Sequence, residues 1–110
     1  MTCCAPQGSN MDEVADKIVE WAQEKGLLEK GLEAENAQLN KLQEELGEFS
    51  LELMRGDYKK SRMELGDVLV VCTIMANLLG TDVQSCLQNA YDKISKRTGK
   101  TINGQFVKDE

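Results

Sequence analysis

The order of apolar and polar positions along the chain predicts four helices. Val14, Ile18, Trp21 and Ala22 recur at i, i+4, i+7 and i+8, a helical period covering residues 11–25. Asn10 stands before this run with Glu13 three residues on, a capping-box-like start, and Gly26 ends it. Leu39, Leu42, Leu46, Phe49 and Leu53 form the apolar stripe of a second helix, from Leu32 or Glu33 to about Met54. Gly56 stops that helix, and Asp57 caps a third over roughly 58–79. The third is polar at its start and almost wholly apolar from Val68 to Leu79, so its second half is expected to be buried on most sides. Thr81 with Gln84 reads as a capping box for a fourth helix, about 82–97, which carries Val83, Leu87, Ala90, Tyr91 and Ile94 on one side; Gly99 stops it. The tail TINGQFVKDE has an Asn-Gly turn signal between short apolar stretches. It is expected to form a small hairpin or to lie along a neighbouring subunit.

Four helices with short connections make an all-α, four-helix-bundle-like domain. The third helix is too apolar for one small bundle to cover, so a homo-oligomer, dimer or tetramer, is expected. At 110 residues the chain is one domain able to bury a core. Residues 1–10 are expected to be an extension outside the domain at 11–110, with Pro6, Gly8 and Ser9 in a disordered stretch over 1–9. The Cys3-Cys4 pair falls within it and is read as part of that stretch rather than as a reactive or ligating pair.

Composition narrows the chemistry. A net charge of -6 argues against a nucleic-acid backbone as the main partner. The absence of histidine removes a His base, a Ser-His-Asp triad and any His-ligated metal. No CxxC pair exists among Cys3, Cys4, Cys72 and Cys86, which argues against zinc. Cys72 and Cys86 sit in apolar helical patterns and are expected to be buried free thiols in a reducing cytoplasm. No apolar run approaches the roughly 20 residues of a membrane span, so no membrane partner is expected.

The chemistry gathers between Lys41 and Asp67, KLQEELGEFSLELMRGDYKKSRMELGD. Glu45 with Glu48 and Glu64 with Asp67 are each spaced i, i+3, on one face of their helices. A reversal at Arg55-Gly56-Asp57 makes the two helices antiparallel and lets all four carboxylates converge. Four acids in a partly buried place repel, and a hard divalent cation relieves both repulsion and desolvation. An all-oxygen donor set suits Mg2+, with Mn2+ as a substitute. On a helical wheel Glu64 and Asp67 extend the stripe of Val71, Met75 and Leu78. Glu45 and Glu48 flank the Leu42–Leu46–Phe49 stripe at its border, and Glu52 continues that edge. Taken alone, Glu44, Glu45, Glu48 and Glu52 read as a solvated helix face; the second pair, on an apolar stripe, favours a metal site. Gly47 and Gly66 lie inside the two pairs, where glycine costs a helix about 1 kcal/mol. They are read as room for close helix packing or a bulky ligand. Trp21 is read as core or as a surface on which a base stacks.

Glu44-Glu45-x-x-Glu48, fifteen residues, then Glu64-x-x-Asp67 resembles the signature of the MazG-like nucleoside triphosphate pyrophosphohydrolases. That family belongs to the all-α NTP pyrophosphatase superfamily, with the dimeric dUTPases and the phosphoribosyl-ATP pyrophosphatases. The resemblance covers about residues 11–110, and the C-terminal AYDKISKRTGKTINGQFVKDE looks like the short, phage- and mobile-element-type members. It implies a MazG fold and cleavage of an NTP or dNTP to the monophosphate and pyrophosphate, in nucleotide-pool house-cleaning. Glu45, Glu48, Glu64 and Asp67 match the family's Mg2+ ligands, and Glu44 matches the leading acid, a supporting group or base. Lys41 and Lys60 match basic positions near phosphate, and Lys93 and Arg97 match residues that hold the triphosphate. Glu45 or Glu48 takes the proton of the attacking water. Two alternatives stand beside this reading. One is a dUTPase-like or phosphoribosyl-ATP-cleaving enzyme of the same superfamily; the other is a non-catalytic helical oligomerisation module.

Overall fold

The computed structural model describes residues 10–109. The expected disorder of residues 1–9, and Cys3 and Cys4 with it, lies outside the described residues. The fold is all-α with a small appendage. Four helices, α1 (Met11–Glu24), α2 (Leu32–Met54), α3 (Tyr58–Leu78) and α4 (Val83–Ile94), are followed by β1 (Gly99–Ile102) and β2 (Gln105–Lys108).

Local chemistry sets most of the boundaries. The Asn10 side chain accepts from the Glu13 backbone N–H at 2.8 Å, and its amide donates to the Glu13 carboxylate at 3.2 Å. This is the reciprocal cap read from the sequence. Asp57 accepts from the Lys60 N–H at 3.0 Å and opens α3. Before it, Gly56 takes φ 79, the left-handed conformation that lets α2 end and the chain reverse. Two corrections concern α4. Its cap is Asp82, which accepts from the Ser85 N–H at 2.7 Å, not Thr81. It also ends at Ile94, before Arg97, because the chain enters a turn at Ser95 and Gly99 already belongs to β1. The tail is the expected hairpin: Asn103 (φ 52) and Gly104 (φ 81) form a two-residue turn with both φ positive, the I′ type that matches strand twist.

The core sits where α1 crosses the second half of α3. Ala22, Leu28, Ile74 and Leu78 are buried there, with Ile18, Val19, Leu27, Ala34 and Val70 packed around them. Burying each large aliphatic side chain contributes about 1.5–3 kcal/mol. α2 and α3 pack along each other as an antiparallel pair, and α4 leaves the end of α3 at a bend of 94°. Among the described residues no single helix is long and apolar enough to cross a membrane.

Two expectations about burial fail. The less exposed positions of α2 recur as Glu35, Gln38, Leu42, Glu45, Phe49 and Glu52, while Leu46 is 47% exposed. The helix is rotated so that carboxylates share the seam with Leu42 and Phe49, and Leu39, Leu46 and Leu53 fall outside it. In α3, Val68, Val71, Ile74 and Leu78 are buried as expected, but Leu69 is 50% exposed. Cys72, on α3, is half-buried, and Cys86 is exposed because α4 buries none of its residues.

Candidate active site

The α2–α3 seam builds the site. Glu45 and Glu52 alternate with Leu42 and Phe49 on the α2 side; Ser61, Glu64, Val68 and Val71 answer from α3. One residue before each seam position, about 100° round the helix, stand Lys41, Glu44, Glu48 and Leu51 on α2 and Lys60, Met63, Asp67 and Val70 on α3. In an antiparallel pair these positions fall on one side of the layer. The positions one residue after the seam, Leu39, Leu46, Leu53, Leu65 and Leu69, fall on the opposite side. Those leucines therefore lie on the face opposite the acids, which share theirs with Leu51 and Met63, 47% and 64% exposed.

Glu45 is the centre of the acidic side, only 6% exposed. It belongs to two groups of carboxylates, Glu44–Glu45–Glu48 and Glu45–Glu64–Asp67, each with oxygens within 4.8 Å of one another. The four expected ligands thus gather through Glu45, with Glu44 added. Burial pushes the Glu45 carboxyl above its usual range, and the charges of Glu48 and Asp67 push the same way against Lys41. Burial likewise raises Glu64, aided by the charge of Glu48 and a hydrogen bond with Asp67. A cation would relieve the mutual repulsion of these acids, and the all-oxygen donor set fits a hard divalent ion. A cavity of about 320 Å3, walled by Lys41, Glu45, Asp67, Val70 and Val71, opens onto them.

The remaining expected residues are placed unevenly. The Lys41 ammonium, expected near phosphate, lies 3.2 Å from Glu44 and 3.7 Å from Glu45. The Glu44 carboxylate, through its hydrogen bond and charge, raises the Lys41 pKa. Lys60 is exposed in the first turn of α3, on the acidic side of the layer. Glu52 pairs with Arg55 at 3.5 Å, away from the cavity mouth. Trp21 is 48% exposed rather than core. With Val14, Lys17, Ile18 and Val70 it walls a second hollow of about 300 Å3. Val70 borders both hollows. Val70 escaped the sequence reading because it lies one position off the acidic stripe of α3. Lys93 and Arg97 are not brought to the acids. About 16 Å of helix separates Asp67 from Leu78, and α4 then departs at 94°. Arg97 lies beyond the helix end, so the two cations do not share a helical face. Gly47 and Gly66 do not mark close packing: a Cβ at either would meet nothing within 4 Å.

The chain is an all-helical layer with clustered carboxylates of a kind that can hold a metal ion. Residues 33–102 match the model of the MazG nucleotide pyrophosphohydrolase domain. The chain belongs to that family. No curated protein and no solved structure matches it.

Proposed function

We propose that the protein is a Mg2+-dependent pyrophosphohydrolase that converts an NTP or dNTP to the monophosphate and pyrophosphate, in cytoplasmic nucleotide house-cleaning. The observation that carries this reading is Glu45, buried where two carboxylate groups meet at the mouth of a cavity. Glu45, Glu48, Glu64 and Asp67 would hold the cation. Bound there, Mg2+ supplies charge neutralisation for the phosphates and a bound water of lowered pKa. Glu45 or Glu48 accepts a proton from the attacking water. Glu44 holds Lys41, which exchanges this partner for a phosphate oxygen when substrate binds. Lys60, on the same side, meets the outer phosphates. The base extends along Val70 onto Trp21. Lys93 and Arg97 point away from the acids of their own chain, so in this reading they serve the phosphates of a neighbouring copy.

A homo-oligomer fits the opposite face of the same layer. Leu32, Leu39, Leu46 and Leu53 repeat every seven residues and are all at least 46% exposed. Leu65 and Leu69 extend that side on α3. Heptad-spaced leucines pack against another helix, and monomers rarely expose apolar patches above a few hundred Å2.

A panel of NTPs and dNTPs with Mg2+ in 18O-labelled water tests the chemistry. Attack at the α-phosphorus puts the label in the nucleoside monophosphate and releases unlabelled pyrophosphate. Orthophosphate as the sole phosphorus leaving group, or label in pyrophosphate, contradicts the assignment.

A further inference from the structure

We propose that the C-terminal hairpin is a docking arm that seats in the groove between the starts of α1 and α4 on a second copy of this chain. This rests on self-association and not on catalysis. Among the described residues the hairpin packs on no helix of its own chain. Every residue of both strands is exposed. A lone two-stranded ribbon is only marginally stable in water, so a well-formed one implies a surface that covers it. The register pairs Lys100 with Val107 and Ile102 with Gln105, which puts these four side chains on one face. Phe106, on the other face, already lies over Gly99, where its ring tip is 2.7 Å from the place a Cβ would take. Phe106 is itself 52% exposed, so neither face is covered; of the two, the face with Ile102 and Val107, 42% and 48% exposed beside Lys100, is taken as the docking face.

The groove is complementary to that face. It has a volume of about 560 Å3, with Met11, Val83, Leu87 and Tyr91 among its walls. Acids stand on its rim. Asp12 lines it, Asp16 accepts from Gln84 at 3.4 Å, and Asp92 accepts from Gln88 at 3.0 Å. The segment 96–108 carries Lys96, Arg97, Lys100 and Lys108 and no acid, whereas α1 carries Asp12, Glu13, Asp16, Glu20 and Glu24 against Lys17. No ion pair among the described residues uses any of the four cations of that segment. Opposite charge selects the hairpin as occupant over residues 1–9, which hold no charged side chain. Two copies exchanging hairpins about a two-fold axis make the contact twice.

The test places a benzophenone amino acid at Gln105, on the docking face, in the full-length chain. Illumination is expected to give covalent dimers whose crosslinks map to residues 11–16 and 83–91 of the other chain. Lys100→Glu in the crosslinking chain lowers the yield by about tenfold, with unchanged helical circular dichroism. A mass-tagged partner bearing Asp12→Lys and Asp16→Lys restores it, which only a contact between chains can do. Crosslinks confined to one chain, landing on the α2–α3 acids, on residues 1–9 or on added single-stranded DNA would overturn the proposal. So would an absence of dimers, or a yield indifferent to Lys100→Glu.

Discussion

Glu45 shows how one residue sets the character of this chain. Its carboxyl is buried beside Glu48 and Asp67, and both burial and charge raise its pKa above the ordinary 4.5. Glu64 is raised in the same direction. Below the unfolded value both states are protonated, and the two groups do not oppose folding. As pH climbs from 4.5 through the raised folded values, the unfolded chain gives up its protons more readily, and stability falls. In chelator, the two groups are thus expected to lower the melting temperature as the buffer moves from mildly acidic to neutral. Glu45→Gln should flatten that slope, and equal slopes for the two proteins would contradict the assignment. The sequence showed the four acids and their i, i+3 spacing. It did not show that Glu45 rather than Leu46 lies on the seam, because Leu42 and Phe49 fit both rotations of the helix. Only the facing residues of α3 decide between them. Trp21 was open between core and surface for a similar reason: α1 alone does not say how far round α3 reaches.

Elements were the most legible level, since caps and breakers act locally. Asn10, Gly56 and Asp57 do what their chemistry suggested. The errors lie where two local signals competed. Thr81 and Asp82 both cap well, and the extended backbone of Asp82 gave it the role. The turn at Ser95 ended α4 before the more obvious Gly99. The Asp57 cap matters beyond its helix, because it fixes the reversal that sets Glu45 opposite Glu64. Asp57→Ala is expected to cost about 1 kcal/mol, read as a lower urea midpoint at unchanged slope. An unchanged midpoint would show that the Lys60 N–H finds another acceptor without loss.

Over the whole molecule, the fold class was legible. An all-helical chain follows from periodicity, but the direction of α4 does not. That direction does not bring Lys93 and Arg97, which the resemblance assigned to the triphosphate, to the acids. The apolar excess that suggested a second copy was assigned to the end of α3. The structure puts much of it on the leucine side of the α2–α3 layer and on the hairpin instead. Leu46→Glu is therefore expected to dissociate the proposed oligomer, seen as a fall in mass by light scattering at retained helix content. A mass equal to the wild-type oligomer would show that this face is not an interface.

The central claim is that carboxylates of α2 and α3, joined through Glu45, hold the divalent ion that acts on a nucleotide. Its most direct measurement is pyrophosphate release from the best substrate of the nucleotide panel, with and without Mg2+, for the wild-type chain and Glu45→Gln side by side. The wild type should release pyrophosphate only with the metal, and Glu45→Gln should lose about 10²–10⁴ in rate with its helices intact. Wild-type rates in the folded variant, or release that ignores Mg2+, would contradict the account.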